Sequence, residues 1–408
     1  MKKRRHWIVL GGVLFLIGVA SVAIFTSSSQ ISFVRTAATL SASAESIGQA
    51  PEQPLVKHIS TPEPMYAIYM TQCAVGTPSL RDTLVKFVDD TKLNAIIIDI
   101  KDYTGKIAYP TDNPALAGSV SDKCGADDMK EFIEILHDKN IYVIGRITVF
   151  QDPYYTKNHP EQSVQSKSRP GEPWKDHKGL SFVAVNAQPF WEYIIELSKE
   201  SYALGFDELN YDYVRWPSDG PMSDIIYPSK DLALELEKFF RYLNENVKST
   251  GVAMSADLFG MTTTNFDDLN IGQQLERALP YFDYIAPMVY PSHYPKNFLN
   301  LGNPNSDPYK VVHYSMSEAA RRAVATTTSI GSFAYTRIGT STPAMYSKPS
   351  YDARKLRPWL QDFDYGKDYL PADILAQTRA TYDAGLTSWF FWDPANRYTS
   401  LREVLMNQ

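Results

Sequence analysis

The chain has 408 residues, 44% of them hydrophobic and 21% charged, with 46 acidic against 40 basic side chains. Setting aside Lys2, Lys3, Arg4 and Arg5 takes the formal charge from −6 to −10 for the remainder. So acidic a body is a poor partner for nucleic acid or anionic lipid, where affinity rests on neutralising phosphates, and its apolar fraction excludes a disordered chain.

The basic cluster precedes an uncharged stretch at 7–25, which is followed by a polar run at 26–30. That apolar length matches a helix crossing a hydrocarbon core of roughly 30 Å. Basic residues stay on the cytoplasmic side, so 1–25 reads as a single-pass membrane anchor with an extracytoplasmic body. The competing reading is a cleaved signal peptide and a secreted body. Residues 26–64, rich in Ser, Thr, Ala, Pro and Gln, read as a disordered linker, and the folded body is expected at 65–408. Cys73 and Cys124 suit an oxidising compartment and are expected to pair.

Beyond residue 65, short apolar runs alternate with amphipathic stretches. Strands are predicted at 66–71, 95–100, 142–148, 208–213, 253–258, 284–289, 328–333 and 388–392. Helices are predicted near 79–92, 127–139, 189–204, 230–249, 268–279, 315–325 and 371–384. Runs such as Ala95-Ile-Ile-Ile98 are apolar on both faces, as parallel strands covered by helices require. Eight strand–helix units imply a closed (β/α)8 TIM barrel. A doubly wound sheet would normally show a Gly-rich phosphate turn after its first strand, and none is present.

Polar residues gather where the predicted strands end, which is where a barrel builds its site. Asp99 and Lys101 end the second strand, Arg146 the third, Asp212 the fourth and Asp257 the fifth. Tyr290 and His293 follow the sixth strand, and Asp393 follows the eighth. Glu208, Asn210 and Asp212 alternate along one strand and so share its inner face. Lys101 stands where it could neutralise Asp99, and Arg215 where it could pair with the fourth-strand polar groups. Two carboxylates on neighbouring strand ends, Asp212 and Asp257, suit glycoside hydrolysis: one protonates the leaving oxygen, the other attacks the anomeric carbon or activates water. Trp174 and Trp216 are candidate platforms for the apolar faces of sugar rings. The remaining named residues are candidate substrate contacts. Histidine spacings for zinc are absent, as are nucleophile elbows and phosphate loops, so neither metal nor cofactor is expected.

The segment Asp212-Tyr-Val-Arg-Trp-Pro217 resembles the D-Y-[VI]-R-[FW]-P signature of a bacterial and archaeal family inferred to be glycoside hydrolases. Asn94-Ala-Ile-Ile-Ile-Asp-Ile-Lys-Asp102, Trp174-Lys-Asp176, Ser255-Ala-Asp-Leu-Phe-Gly260 and Ala286-Pro-Met-Val-Tyr-Pro291 are similar to its other blocks, in order, over about 65–400. The resemblance implies a TIM barrel distantly related to the α-amylase-like glycosidases, with the nucleophile's role falling on Asp212. Those enzymes commonly carry a glutamate on the fifth strand, where this sequence has Asp257. The implied activity is hydrolysis of an extracellular or cell-envelope polysaccharide. The alternative is a barrel that binds surface glycans as a scaffold without turning them over.

Overall fold

The computed structural model describes residues 56–407. Eight parallel strands close into a barrel in chain order: β1 (Tyr66–Met70), β2 (Ala95–Lys101), β3 (Tyr142–Thr148), β4 (Glu208–Asp212), β5 (Ala253–Phe259), β6 (Tyr284–Met288), β7 (Trp359–Gln361) and β8 (Trp389–Trp392). A helix follows each: α1 (Pro78–Asp89), α2 (Met129–Asp138), α3 (Gln188–Leu204), α4 (Leu232–Val247), α5 (Leu275–Ala278), α6 (Pro308–Val324), α7 (Pro371–Asp383) and α8 (Thr399–Met406). The predicted barrel is therefore present. The proposed span at 7–25 and most of the linker lie outside the described residues. Among those described, no helix is long and apolar enough to cross a membrane.

The helices start where the sequence supplies caps. Asp231 accepts from the Leu234 amide at the head of α4, and Asp307 accepts from the Lys310 amide at the head of α6, just before Pro308. Gly205 ends α3 at φ +128°, a conformation that side chains oppose, and so turns the chain into β4. Every residue of β2 is buried, and full burial of each of Ile96, Ile97 and Ile98 contributes about 1.5–3 kcal/mol.

One strand departs from expectation. The predicted seventh strand at 328–333 lies outside the barrel. Thr327–Thr328 instead pairs antiparallel with Met345–Ser347, which pairs on its other side with Thr336–Ile338 to make a small three-stranded sheet. The barrel is completed by Trp359–Gln361, a run too short and too close to Arg357 and Pro358 to stand out. The helix predicted at 268–279 contracts to α5, and α8 was not anticipated.

Packing begins before residue 65. The Ile59 amide donates to Asp207, and Thr61 hydrogen-bonds Tyr142, so 56–64 lies against the amino-terminal end of the barrel. At the opposite end, a Cys73–Cys124 disulfide ties the loop after β1 to the long connection after β2. The expected pairing is present.

Candidate active site

Parallel register sets the site in layers. Asp99 lies beside Arg146, Arg146 beside Asn210, and Asn210 beside Ser255. Two residues further along β4 and β5, Asp212 and Asp257 stand one layer nearer the carboxyl-terminal mouth, because inward side chains recur every second residue. Two residues deeper, Glu208 belongs to the barrel floor.

The mouth is organised by one guanidinium. Arg146 donates through Nη1 to Asp99 Oδ1 at 2.6 Å and through Nη2 to Asp212 Oδ2, while its Nε lies 3.7 Å from Asp257 Oδ2. Carboxylates sharing one guanidinium lie within the roughly 10 Å allowed for flanking one glycosidic bond. Asp212 Oδ1 also accepts from the Tyr213 amide at 2.5 Å. Asp257 Oδ1 accepts from Asn210 Nδ2 at 2.9 Å and from Trp359 Nε1 at 2.7 Å, and the residue lines the cavity.

These environments differ electrostatically. Burial pushes the Asp257 carboxyl well above its ordinary range, and the Asp212 charge pushes the same way against Arg146, Asn210 and Trp359. Burial also raises Asp99 to about 6, though Arg146 and the Tyr69 hydroxyl both favour its ionised form. Asp212 and Asp257 line a cavity of about 310 Å³ with Arg146, Tyr213 and Arg215. Its apolar walls include Phe259, Met261, Met288 and Trp392. Gly260 is required there for close approach rather than for turning, since a Cβ would lie 2.6 Å from Tyr294 Oη.

Tyr290 and His293 line the same cavity, with the Tyr290 ring 5.3 Å from Trp392 and 5.5 Å from His293. Other expected contacts lie elsewhere. Trp174 is fully buried, donating to the Pro221 carbonyl at 3.1 Å, and Trp216 packs edge-on against Tyr227. Neither indole offers a face to a sugar. Lys101 pairs with Asp152 at 2.9 Å, not with Asp99, because the β2–β3 register shifts between Asp99 and Lys101. Glu208 is buried on Arg357 at 2.9 Å. Asn210 is fully buried and reaches the cavity only through Asp257. Asp393 is spent on the backbone amides of Ala395, Arg397 and Tyr398. Arg215 lines the cavity but pairs with none of the β4 carboxylates.

Sequence reasoning missed Trp359, the donor to Asp257, because β7 was placed elsewhere. It also missed Tyr69, whose position on β1 gives its hydroxyl the reach to Asp99. Among the described residues, no group of three His, Cys, Asp or Glu side chains is disposed to hold a metal ion.

The family model described as "Putative glycosyl hydrolase domain" matches residues 67–398, which takes in all eight strands but the first residue of β1. The chain belongs to this glycosyl hydrolase family. No curated protein matches it. Among solved structures, a hypothetical protein from Ruminiclostridium thermocellum is 31% identical over 47% of this chain and 96% of that one, at a TM-score of 0.42. The glycoside hydrolase domain of PgaB from Bordetella bronchiseptica is 15% identical over 84% and 99%, at a TM-score of 0.57. An α-L-fucosidase from Paenibacillus thiaminolyticus is 11% identical over 84% and 48%, at 0.56. At these identities the last two show that the glycosyl hydrolase barrel here shares their fold.

Proposed function

We propose that the protein hydrolyses a glycosidic bond in an extracellular or cell-envelope polysaccharide, with Asp212 and Asp257 as the reacting pair. The observation that carries this reading is that both carboxyls meet Arg146 at the barrel mouth, Asp212 hydrogen-bonded to it and Asp257 buried on Asn210 and Trp359 with its Oδ2 3.7 Å from Nε. Asp257, buried and raised, holds the proton that passes to the leaving oxygen as the C1–O bond breaks. Asp212, paired with the guanidinium, attacks C1 from the other face. Water then releases the sugar, giving its proton to Asp257. Tyr290 and Trp392 supply the apolar faces for ring stacking. The membership in a glycosyl hydrolase family supports the same reading.

The acid is the part to test. Asp257→Asn should abolish turnover of a glycan or alkyl glycoside but spare the first step on a dinitrophenyl glycoside, whose leaving group needs no proton. That step is seen in kcat/KM and in a burst of dinitrophenol; the second step, which needs Asp257 as base, should become slow. In the wild type, activity should fall as pH rises through the raised Asp257 pKa, since the required form is protonated. That alkaline limb should vanish in Asp257→Asn with the activated substrate. Equal losses on both substrates, or an unchanged limb, would remove Asp257 from the role of acid.

We further propose that residues 1–25 anchor the body on the outer side of the cytoplasmic membrane. The supporting features are the basic–apolar–polar order of the amino terminus and the Cys73–Cys124 pair. Protease added to intact spheroplasts should digest the body; full protection would reverse the topology.

A further inference from the structure

Arg215 is a buried cation with no ion-pair partner among the described residues. It is only 8% exposed, yet among the described residues no carboxylate lies within 4.0 Å of its nitrogens. The other buried arginines differ: Arg322 faces Glu276 at 2.5 Å and Arg357 faces Glu208 at 2.9 Å. A desolvated charge without its counter-ion costs several kcal/mol. Part of that is offset by rings, since the guanidinium lies 4.8 Å from Tyr213, 4.9 Å from Phe259 and 5.6 Å from Phe182. Burial still works against its charge. Its Nη1 donates to the Trp216 carbonyl at 3.0 Å, which leaves the Nε–Nη2 edge without a partner among the described residues. That edge is a planar two-donor fork of the kind that accepts a carboxylate side-on. The side chain lines the cavity that holds Asp212 and Asp257, and also a neighbouring one with Asp176 and Asp219, so an anion it receives on the first side is part of the molecule held there.

We infer that Arg215 binds a carboxylate carried by the sugar, so that the substrate is an acidic glycan built from uronic-acid-type residues. This rests on the glycosidase reading for its setting. Arg146 cannot serve instead, because its nitrogens already face three aspartates. A carboxylate presents two coplanar oxygens to such a fork; a phosphate ester can do the same, and the test separates the two.

The test uses the full-length protein with hexuronate-containing oligosaccharides and the same oligosaccharides after carboxyl reduction to neutral sugars. One charge-assisted bidentate contact predicts a kcat/KM about 10- to 100-fold higher on the acidic set. Arg215→Gln should bring that ratio close to one, and Arg215→Lys should leave it intermediate, since a point charge lacks the fork. Equal wild-type kcat/KM on both sets overturns the inference without reference to any variant. So does a ratio that Arg215→Gln leaves as it was, or a preference for phosphorylated oligosaccharides over uronates. Calorimetry on Asp212→Asn separates this from the hydrolase reading. If the wild type releases no product but Asp212→Asn binds the acidic set and not the reduced one, the anion subsite stands and the hydrolase falls.

Discussion

Replacing Asp212 with asparagine should lower turnover of the natural glycan at least about a thousandfold, roughly 4 kcal/mol of transition-state stabilisation. Asparagine keeps the size of the side chain and an oxygen for the Tyr213 amide, but it cannot displace the leaving group or stabilise the charge developing at C1. Glycan affinity should change little, because that charge is absent from the ground state. Product release by wild type and variant, compared across a panel of polysaccharides, reads the effect. Full activity in Asp212→Asn would remove the carboxylate from the reaction. Binding by both proteins with release by neither would identify a scaffold that keeps the groove without the chemistry.

A second large effect belongs to the barrel floor. Glu208 and Arg357 are both fully buried and 2.9 Å apart, with the Tyr142 hydroxyl 3.2 Å from the same carboxylate oxygen. Removing one partner of such a pair strands a charge where water cannot reach it, which costs about 3–5 kcal/mol. Glu208→Ala should therefore lower the unfolding free energy by about that amount in urea titration. Replacing both residues with leucine should recover most of the loss, since a well-packed apolar pair needs no counter-charge. A single-variant loss below about 1 kcal/mol would mean that solvent reaches Arg357 and that the floor is wetter than the structure implies.

The barrel was legible because buried parallel strands write themselves as apolar runs. Ala95-Ile-Ile-Ile98 could scarcely be anything else, and seven of the eight strands fell within a residue or so of their predicted bounds. β7 escaped because three residues cannot establish a period, while the β-branched run near Thr328 presented a stronger local pattern outside the barrel. The carboxylates were legible for a related reason, since a charge ending an apolar strand is conspicuous. Their partners were not. Arg146 was expected as a substrate contact, whereas its position between β2 and β4 makes it the group around which three aspartates assemble. Composition could not distinguish a tryptophan that faces a groove from one that fills a core. Trp174 and Trp216 stand beside charged neighbours in sequence, yet their rings turn inward.

The left-handed backbone at Tyr213, φ +52°, has a consequence for how the motif around it can change. On an extended strand, positions three apart have opposite parity, so a side chain at 215 would point away from the cavity that Asp212 faces. Both nevertheless line it. One residue in an unfavourable conformation breaks the alternation and returns the fourth position to the inside, at a cost of order 1–3 kcal/mol. The placing of Asp212 and Arg215 therefore depends on the backbone between them, and any insertion, deletion or relaxation there changes the distance between the two groups. The spacing of those two charges is set by the main chain, and a change of side chain alone cannot tune it.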